Sequence, residues 1–266
     1  MATTTPNDPP GIRVTVLGSG TCVPRLDRSS CAILMEISDR QLVFDAGPGT
    51  MRRLLEAGTD IHRIDYLFLS HFHPDHSAEL VPLLFANKYP DASRRRRPLT
   101  MVGGPGFERF FAGLKAVYGH WIVLDDAMVR ILECDPARRR LVSGENFDVT
   151  AAPVVHNPES VAFRVDTPSG ASVVYSGDTD YAERLVALAH RADLLICESA
   201  LPDEQKIPGH LTPAVAGRMA AEAAVDRLML THFYPACEKA DIAAQCRRTY
   251  DGPLLLAEDL MKVTVP

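Results

Sequence analysis

The apolar positions of this 266-residue chain fall into short, β-branched runs divided by turn residues, and many of the runs stop at a glycine, an aspartate or a histidine. Such runs predict strands over 12–17, 31–37, 41–44, 64–69 and 99–102 in the first half. In the second half they predict strands over 147–155, 171–176, 193–197 and 226–230. Several runs are almost continuously apolar, the pattern of strands buried on both faces within a sheet covered by helices. Ser38-Asp39-Arg40 between two runs reads as a hairpin turn. Helical spacing predicts a short helix over 51–57, closed by Gly58. A second helix carries Leu80, Val81, Leu84 and Phe85, with Pro82 placing its regular start near that residue. A third carries Phe107, Phe110, Phe111, Leu114, Val117 and Tyr118 on one face, a core stripe rather than a cofactor box.

The chemistry gathers where the strands end. The run 64–69 opens directly into Ser70-His71-Phe72-His73-Pro74-Asp75-His76, which crowds three imidazoles and a carboxylate into six positions. A single histidine has an ordinary packing explanation, but four donors so close together do not. Neutral imidazole nitrogen and carboxylate oxygen suit a borderline divalent cation such as zinc. Other strand ends carry Asp45, His156, Asp178, Glu198 and His232. Groups at strand ends tend to meet in sheets of this kind. Asp45 reads either as an orienting partner for a ligand histidine or as a cap for the turn that follows it. His120 lies at no strand end and stays outside the set. Gly18-Ser19-Gly20-Thr21 reads as a strand-ending turn in preference to a phosphate cradle.

Composition narrows the setting. A formal net charge of −6 argues against a generally basic, nucleic-acid-binding surface. Two local basic runs, Arg94 to Arg97 and Arg138 to Arg140, read first as solvated turns, with capture of a phosphate-bearing substrate as the alternative. Six cysteines without C-x-x-C spacing point to reduced thiols. No leader pattern and no apolar run of about 18 residues are seen, so the expectation is a soluble, cytoplasmic protein away from membranes. Residues 1–10 read as a flexible tail, and 11–266 as one domain.

The chain resembles the metallo-β-lactamase superfamily through H-x-H-x-D-H at His71 to His76, the downstream His156, Gly177-Asp178-Thr179 and Thr231-His232. Within it, the chain is similar to the ribonuclease Z-like branch through Leu17-Gly18-Ser19-Gly20-Thr21, Phe44 to Thr50, Glu198-Ser199-Ala200 and Gly209-His210-Leu211-Thr212. The resemblance implies an α/β fold, an αββα sandwich of two mixed sheets covered by helices. It implies two divalent metal ions, zinc first, with manganese or iron also compatible. By matching positions, His71, His73 and His156 would hold one metal, Asp75, His76 and His232 the other, and Asp178 would bridge them. Two close cations lower the pKa of a shared water and polarise the oxygen under attack. The resemblance further implies that Asp75 accepts the nucleophile's proton and that His210, oriented by Glu198, supplies a proton to the leaving oxygen.

The implied activity is therefore that of a metal-dependent hydrolase, a phosphodiesterase acting on a small or exposed diester. Hydrolysis of a sulfate ester, lactone or thioester is the first alternative, followed by a ribonuclease Z-type endonuclease and by a metal-binding protein without turnover. One departure bears on substrate. RNA-processing members carry a long gripping arm, often between the positions matched by His156 and Asp178, and the 22-residue difference here leaves room for two strands and a turn. Long structured RNA is accordingly not expected as a partner. A homodimer is compatible with the resemblance.

Overall fold

The computed structural model describes residues 11–90, 94–135 and 140–266. The 1–10 tail, the Asp91–Ser93 start of the first basic loop, and Arg138 and Arg139 of the second basic run lie outside the described residues.

Alternating or continuous apolar residues fold as strands, and these assemble into two seven-stranded sheets. In the first, β1 (Ile12–Gly18), β2 (Ala32–Ile37) and β3 (Arg40–Phe44) pair antiparallel, then β4 (Tyr66–Leu69), β5 (Leu99–Gly103) and β6 (Val129–Glu133) continue in parallel. In the second, β7 (Arg140–Ser143), β8 (Asp148–Pro153), β9 (Val161–Asp166) and β10 (Ser172–Tyr175) are antiparallel. They are followed by β11 (Leu194–Glu198), β12 (Leu228–Thr231) and β13 (Leu254–Leu256) in parallel. The terminal strand β14 (Lys262–Val265) crosses back to pair with β1 in the first sheet.

Helices α1 (Thr50–Ala57), α2 (Pro74–Ser77), α3 (Leu80–Lys88) and α4 (Phe107–Tyr118) belong to the first half. Leu54, Leu80, Leu83, Leu84, Phe107 and Phe111 from α1, α3 and α4 bury against Leu34, Val43, Leu67 and Leu69 of the first sheet. The second half contributes α5 (Glu183–Leu188), α6 (Pro213–Glu222) and α7 (Ile242–Arg247), whose Leu185, Met219 and Cys246 join the other core. Between the sheets, Phe44 and Phe68 stack at 4.7 Å and both meet Phe163 of the opposite sheet, at 5.7 and 5.2 Å. Each fully buried ring contributes about 1.5–3 kcal/mol. The layer order is the expected αββα sandwich. β10, β11 and β12 are buried at every position, as their unbroken apolar runs predict.

Several local expectations need adjustment. Helix α3 starts at Leu80, with Pro82 inside its first turn, where a missing N–H costs no intrahelical bond. β8 ends at Pro153, three residues before His156, so that histidine sits on a loop. The first basic run is not a solvated loop throughout. Arg95 is buried and donates to the carbonyls of Ile61, Ile64, Arg97 and Pro98 and to Asn87 Oδ1, while Arg97 pairs with Asp65 at 2.9 Å. Burial lowers the Arg95 pKa to about 10, which leaves it charged. These guanidiniums gather the chain before β4 and β5, at the opposite end of those strands from the histidines. Arg140 of the second run opens β7 rather than closing a turn. The Gly18–Thr21 turn is no phosphate cradle: Ser19 N and Oγ donate to Asp259, and Gly20 N donates to the Ser29 carbonyl.

Candidate metal centre

The carboxyl ends of β4, β10 and β12, together with the loop after β8, deliver the seven expected ligand side chains to one place between the sheets. His71 and His73 follow β4 directly. The Pro74 turn starts α2, which carries Asp75 and His76. Asp178 follows β10 through Gly177, whose φ of 56° and contact with Ser70 suit glycine, since a Cβ there would meet Ser70 Cβ at 2.5 Å. His232 ends β12 in a left-handed conformation, φ 62°, as does Asp45 after β3. Such backbones cost on the order of 1 kcal/mol and persist where surrounding contacts over-determine them.

Donor atoms of His71, His73, His156 and Asp178 lie within 4.8 Å of one another, and so do those of Asp75, His76 and His232. Asp178 faces both groups with different oxygens. Oδ1 is 3.2 Å from His76 Nε2 and 3.3 Å from His232 Nε2, whereas Oδ2 is 3.7 Å from His71 Nε2 and 3.9 Å from His156 Nε2. His73 Nδ1 lies 3.2 Å from His156 Nε2, and Asp75 Oδ2 3.7 Å from His232 Nε2.

The far nitrogens of His71, His76 and His156 are held by the protein, whereas His232 Nδ1 is buried with no hydrogen-bond partner. Ser70 Oγ directs its proton to Asp45 Oδ2 at 2.8 Å and so accepts from His71 Nδ1 at 3.0 Å, leaving the His71 Nε2 lone pair toward the cluster. His76 Nδ1 donates to Asp45 Oδ2 at 2.7 Å, and His156 Nδ1 to the Gly209 carbonyl at 2.8 Å. Asp45 is thus an orienting partner, the first of its two sequence readings. Ser70, Gly209 and Tyr175, which donates to Asp45 at 2.6 Å, were not singled out from sequence as orienting groups. Only the position of Ser70 beside His71 and of Gly209 beside His210 hinted at them.

The electrostatics favour a cation. Burial pushes the His71 imidazole down to about 2, with nearby His76 adding to the effect, and burial also lowers His73. Both rings are therefore neutral donors. Burial opposes charge on Asp178, but His232 and His76 prevail and hold it well below the usual carboxylate range. For His76 burial is likewise overcome, by Asp178 and Asp45, so the ring keeps a proton that a divalent ion would displace. His71 Nε2 and Asp178 Oδ1 are buried with no hydrogen-bond partner, a costly state unless a cation lies against them. The residues present fit divalent metal binding.

Glu198, at the end of β11, is buried and accepts from Thr179 N, Ala200 N and Leu211 N as well as from His210 Nδ1 at 2.9 Å. Burial works against protonation of His210, yet the bond to Glu198 and its charge raise the imidazole pKa above the ordinary value. The His210 ring lies 4.9 Å from that of His156 and 5.7 Å from that of His232, centroid to centroid. His120, left outside the ligand set, is exposed in a 3₁₀ turn after α4. A cleft of about 400 Å³ lined by Cys22, Pro24, Arg28, Ser30, Pro74 and Asp75 opens beside the cluster.

Residues 40–233 match the family described as the beta-lactamase superfamily domain. Ribonuclease Z of Haloferax volcanii is 29% identical over 306 aligned positions, covering 96% of this chain and 95% of that protein. Human tRNase Z, short form, superposes with a TM-score of 0.77 at 27% identity over 96% of this chain and 99% of the human one. The metallo-beta-lactamase fold protein YhfI from Bacillus subtilis gives a TM-score of 0.83 at 24% identity, over 96% and 99% of the two chains. The chain belongs to the metallo-β-lactamase superfamily of hydrolases, as a ribonuclease Z-like member.

Proposed function

We propose that this ribonuclease Z-like superfamily member is a binuclear metal-dependent phosphodiesterase acting on a small or exposed diester. One observation carries the reading: a histidine bonded to a buried glutamate, His210 and Glu198, stands beside a carboxylate whose two oxygens face two separate groups of imidazoles. His71, His73 and His156 would hold one divalent ion and Asp75, His76 and His232 the other, with Asp178 shared; zinc suits the donor set, and manganese or iron are alternatives. When bound, such a pair of ions makes water a nucleophile near neutral pH and offsets charge on phosphoryl oxygens.

The chain's own residues would do the rest. Asp75 takes the proton of the attacking water. His210, kept protonated by Glu198, gives its Nε2 proton to the oxygen that leaves with the electron pair of the broken P–O bond. Such a donor suits diester hydrolysis, because an alkoxide or nucleoside oxygen departs poorly without a proton. Two features favour a small substrate over long RNA. The span between His156 and Asp178 holds only the β9–β10 hairpin, and the chain is net acidic. No helix among the described residues is long and apolar enough to cross a membrane.

The test is turnover by metal-loaded protein of an aryl phosphodiester beside an aryl sulfate, a lactone, a thioester and a pre-tRNA. The expected result is a preference for the diester that chelation abolishes. Turnover of another ester with silence on the diester would discard the substrate class. In parallel, His210→Ala should slow diester hydrolysis by on the order of 10²- to 10⁴-fold with metal content intact.

A further inference from the structure

The stretch that carries His210 is tied to the ligand cluster through a residue with no place in the chemistry so far. Asp180 lies two positions beyond Asp178. Its backbone N–H donates to the Val155 carbonyl at 2.7 Å, in an isolated antiparallel bridge that fixes the residue before His156. Its carboxylate reaches the other way. Oδ2 accepts from Gly209 N at 3.0 Å and from Lys206 Nζ at 2.7 Å, while Oδ1 accepts from Tyr181 N at 2.8 Å. The Lys206 ammonium also donates to the Ile207 carbonyl at 2.8 Å, so both ends of the 206–209 turn converge on one carboxylate.

Gly209 completes the connection. Its N–H is held by Asp180, its carbonyl accepts from His156 Nδ1, and the next residue is His210. With φ at 84° and a prospective Cβ 3.2 Å from His156 Nδ1, the position suits glycine. We propose that Asp180 is a positioning residue: it joins the backbones bearing His156, Asp178 and His210 and so sets where the His210 imidazole meets the departing oxygen. Glu198 holds the ring by Nδ1, and Asp180 holds the backbone that delivers it. A charge-assisted contact to Lys206 stiffens the arrangement, and a displacement of about 1 Å at a reacting group costs on the order of 100-fold. Asp180 and Lys206 side chains are 24% and 33% exposed, so they are no part of the core that holds the fold.

The inference rests on the proton-donor reading of His210, and the experiment separates the two. Departure of p-nitrophenolate needs little help from a proton, whereas phenolate needs more, so a misplaced donor appears as a steeper dependence on the leaving group. Turnover of thymidine 5′-aryl phosphates from p-nitrophenyl to phenyl is measured for the metal-loaded parent, Asp180→Ala, Lys206→Met and His210→Ala. Metal content is measured for each, with hydrogen exchange of the metal-free proteins. For Asp180→Ala the phenyl ester should lose roughly tenfold more turnover than the nitrophenyl ester. Metal content should be unchanged, and exchange should quicken over 206–211 but not over 71–76. Lys206→Met, which spares the carboxylate, should shift the same ratio in the same direction by a smaller factor. Equal loss on both esters, no loss, or loss of metal overturns the assignment of Asp180. A leaving-group dependence in His210→Ala no steeper than the parent's overturns instead the proton-donor reading on which it rests.

Discussion

Asp45 and Asp178 occupy corresponding places in the two sheets and have opposite surroundings. Each lies just past the strand at which its sheet changes from antiparallel to parallel pairing, β3 in one and β10 in the other. Both are buried. Asp45 receives four donors: Ser70 N at 2.7 Å, Ser70 Oγ at 2.8 Å, His76 Nδ1 at 2.7 Å and Tyr175 OH at 2.6 Å. Burial and the Asp45 charge raise the Tyr175 phenol well above its ordinary pKa, so it stays a donor. Asp178 instead faces imidazole nitrogens, and its Oδ1 accepts from none of them. A buried carboxylate saturated by N–H and O–H groups is scaffold. One that faces imidazole nitrogens, with an oxygen that accepts from none of them, is the kind a cation would join. Glu198 belongs with Asp45: it too is saturated by donors and holds a histidine by Nδ1.

The largest test of this contrast is Asp178→Ala. On the proposed reading, metal content and diester turnover fall together, turnover by on the order of a thousandfold or more; retention of both would remove the bridging role. The same substitution should cost the chelated protein some stability to urea, because the charge facing His76 and His232 is lost, but less than removal of Asp45, since Oδ1 of Asp178 has no hydrogen bond to lose. Asp45→Ala should behave in reverse. It strands a backbone N–H, a hydroxyl, an imidazole and a phenol, and should lower the unfolding free energy of the chelated protein by roughly 3 kcal/mol or more. Its effect on metal affinity, through His76 and Ser70, should be about 10- to 100-fold. If Asp178→Ala proved the more destabilising of the two without metal, the distinction would collapse. The smallest effect belongs to Tyr175→Phe, which removes one of four donors. It should cost about 1 kcal/mol in urea unfolding, with metal content unchanged.

Much of the fold was legible in the chain because the signals are local. The apolar runs of β1 through β5, of β8 and of β10 through β12 are strong enough to be read one at a time, as are the stripes of α1, α3 and α4. What was missed is short or at an edge. β6 is only half-buried, β13 has three residues, β14 alternates along a sheet margin, and α5 and α7 have six residues each. In such elements tertiary contact, rather than periodicity, decides the conformation. The Arg94–Arg97 loop misled for a related reason. Four consecutive cations look solvated until the fold supplies the carbonyls that bury Arg95.

By itself the sequence determined the kinds of donor present and their placement at strand ends, since ligand type and strand propensity are properties of single residues and short windows. Only the tertiary structure decided which atom faces which. Asp178 Oδ1 meets one group of imidazoles and Oδ2 the other, Asp45 serves as an orienting group instead of a cap, and Asp180 links His156 to His210. Those relations join residues 22 to 107 positions apart, and sheet register and the packing of one sheet on the other bring them together.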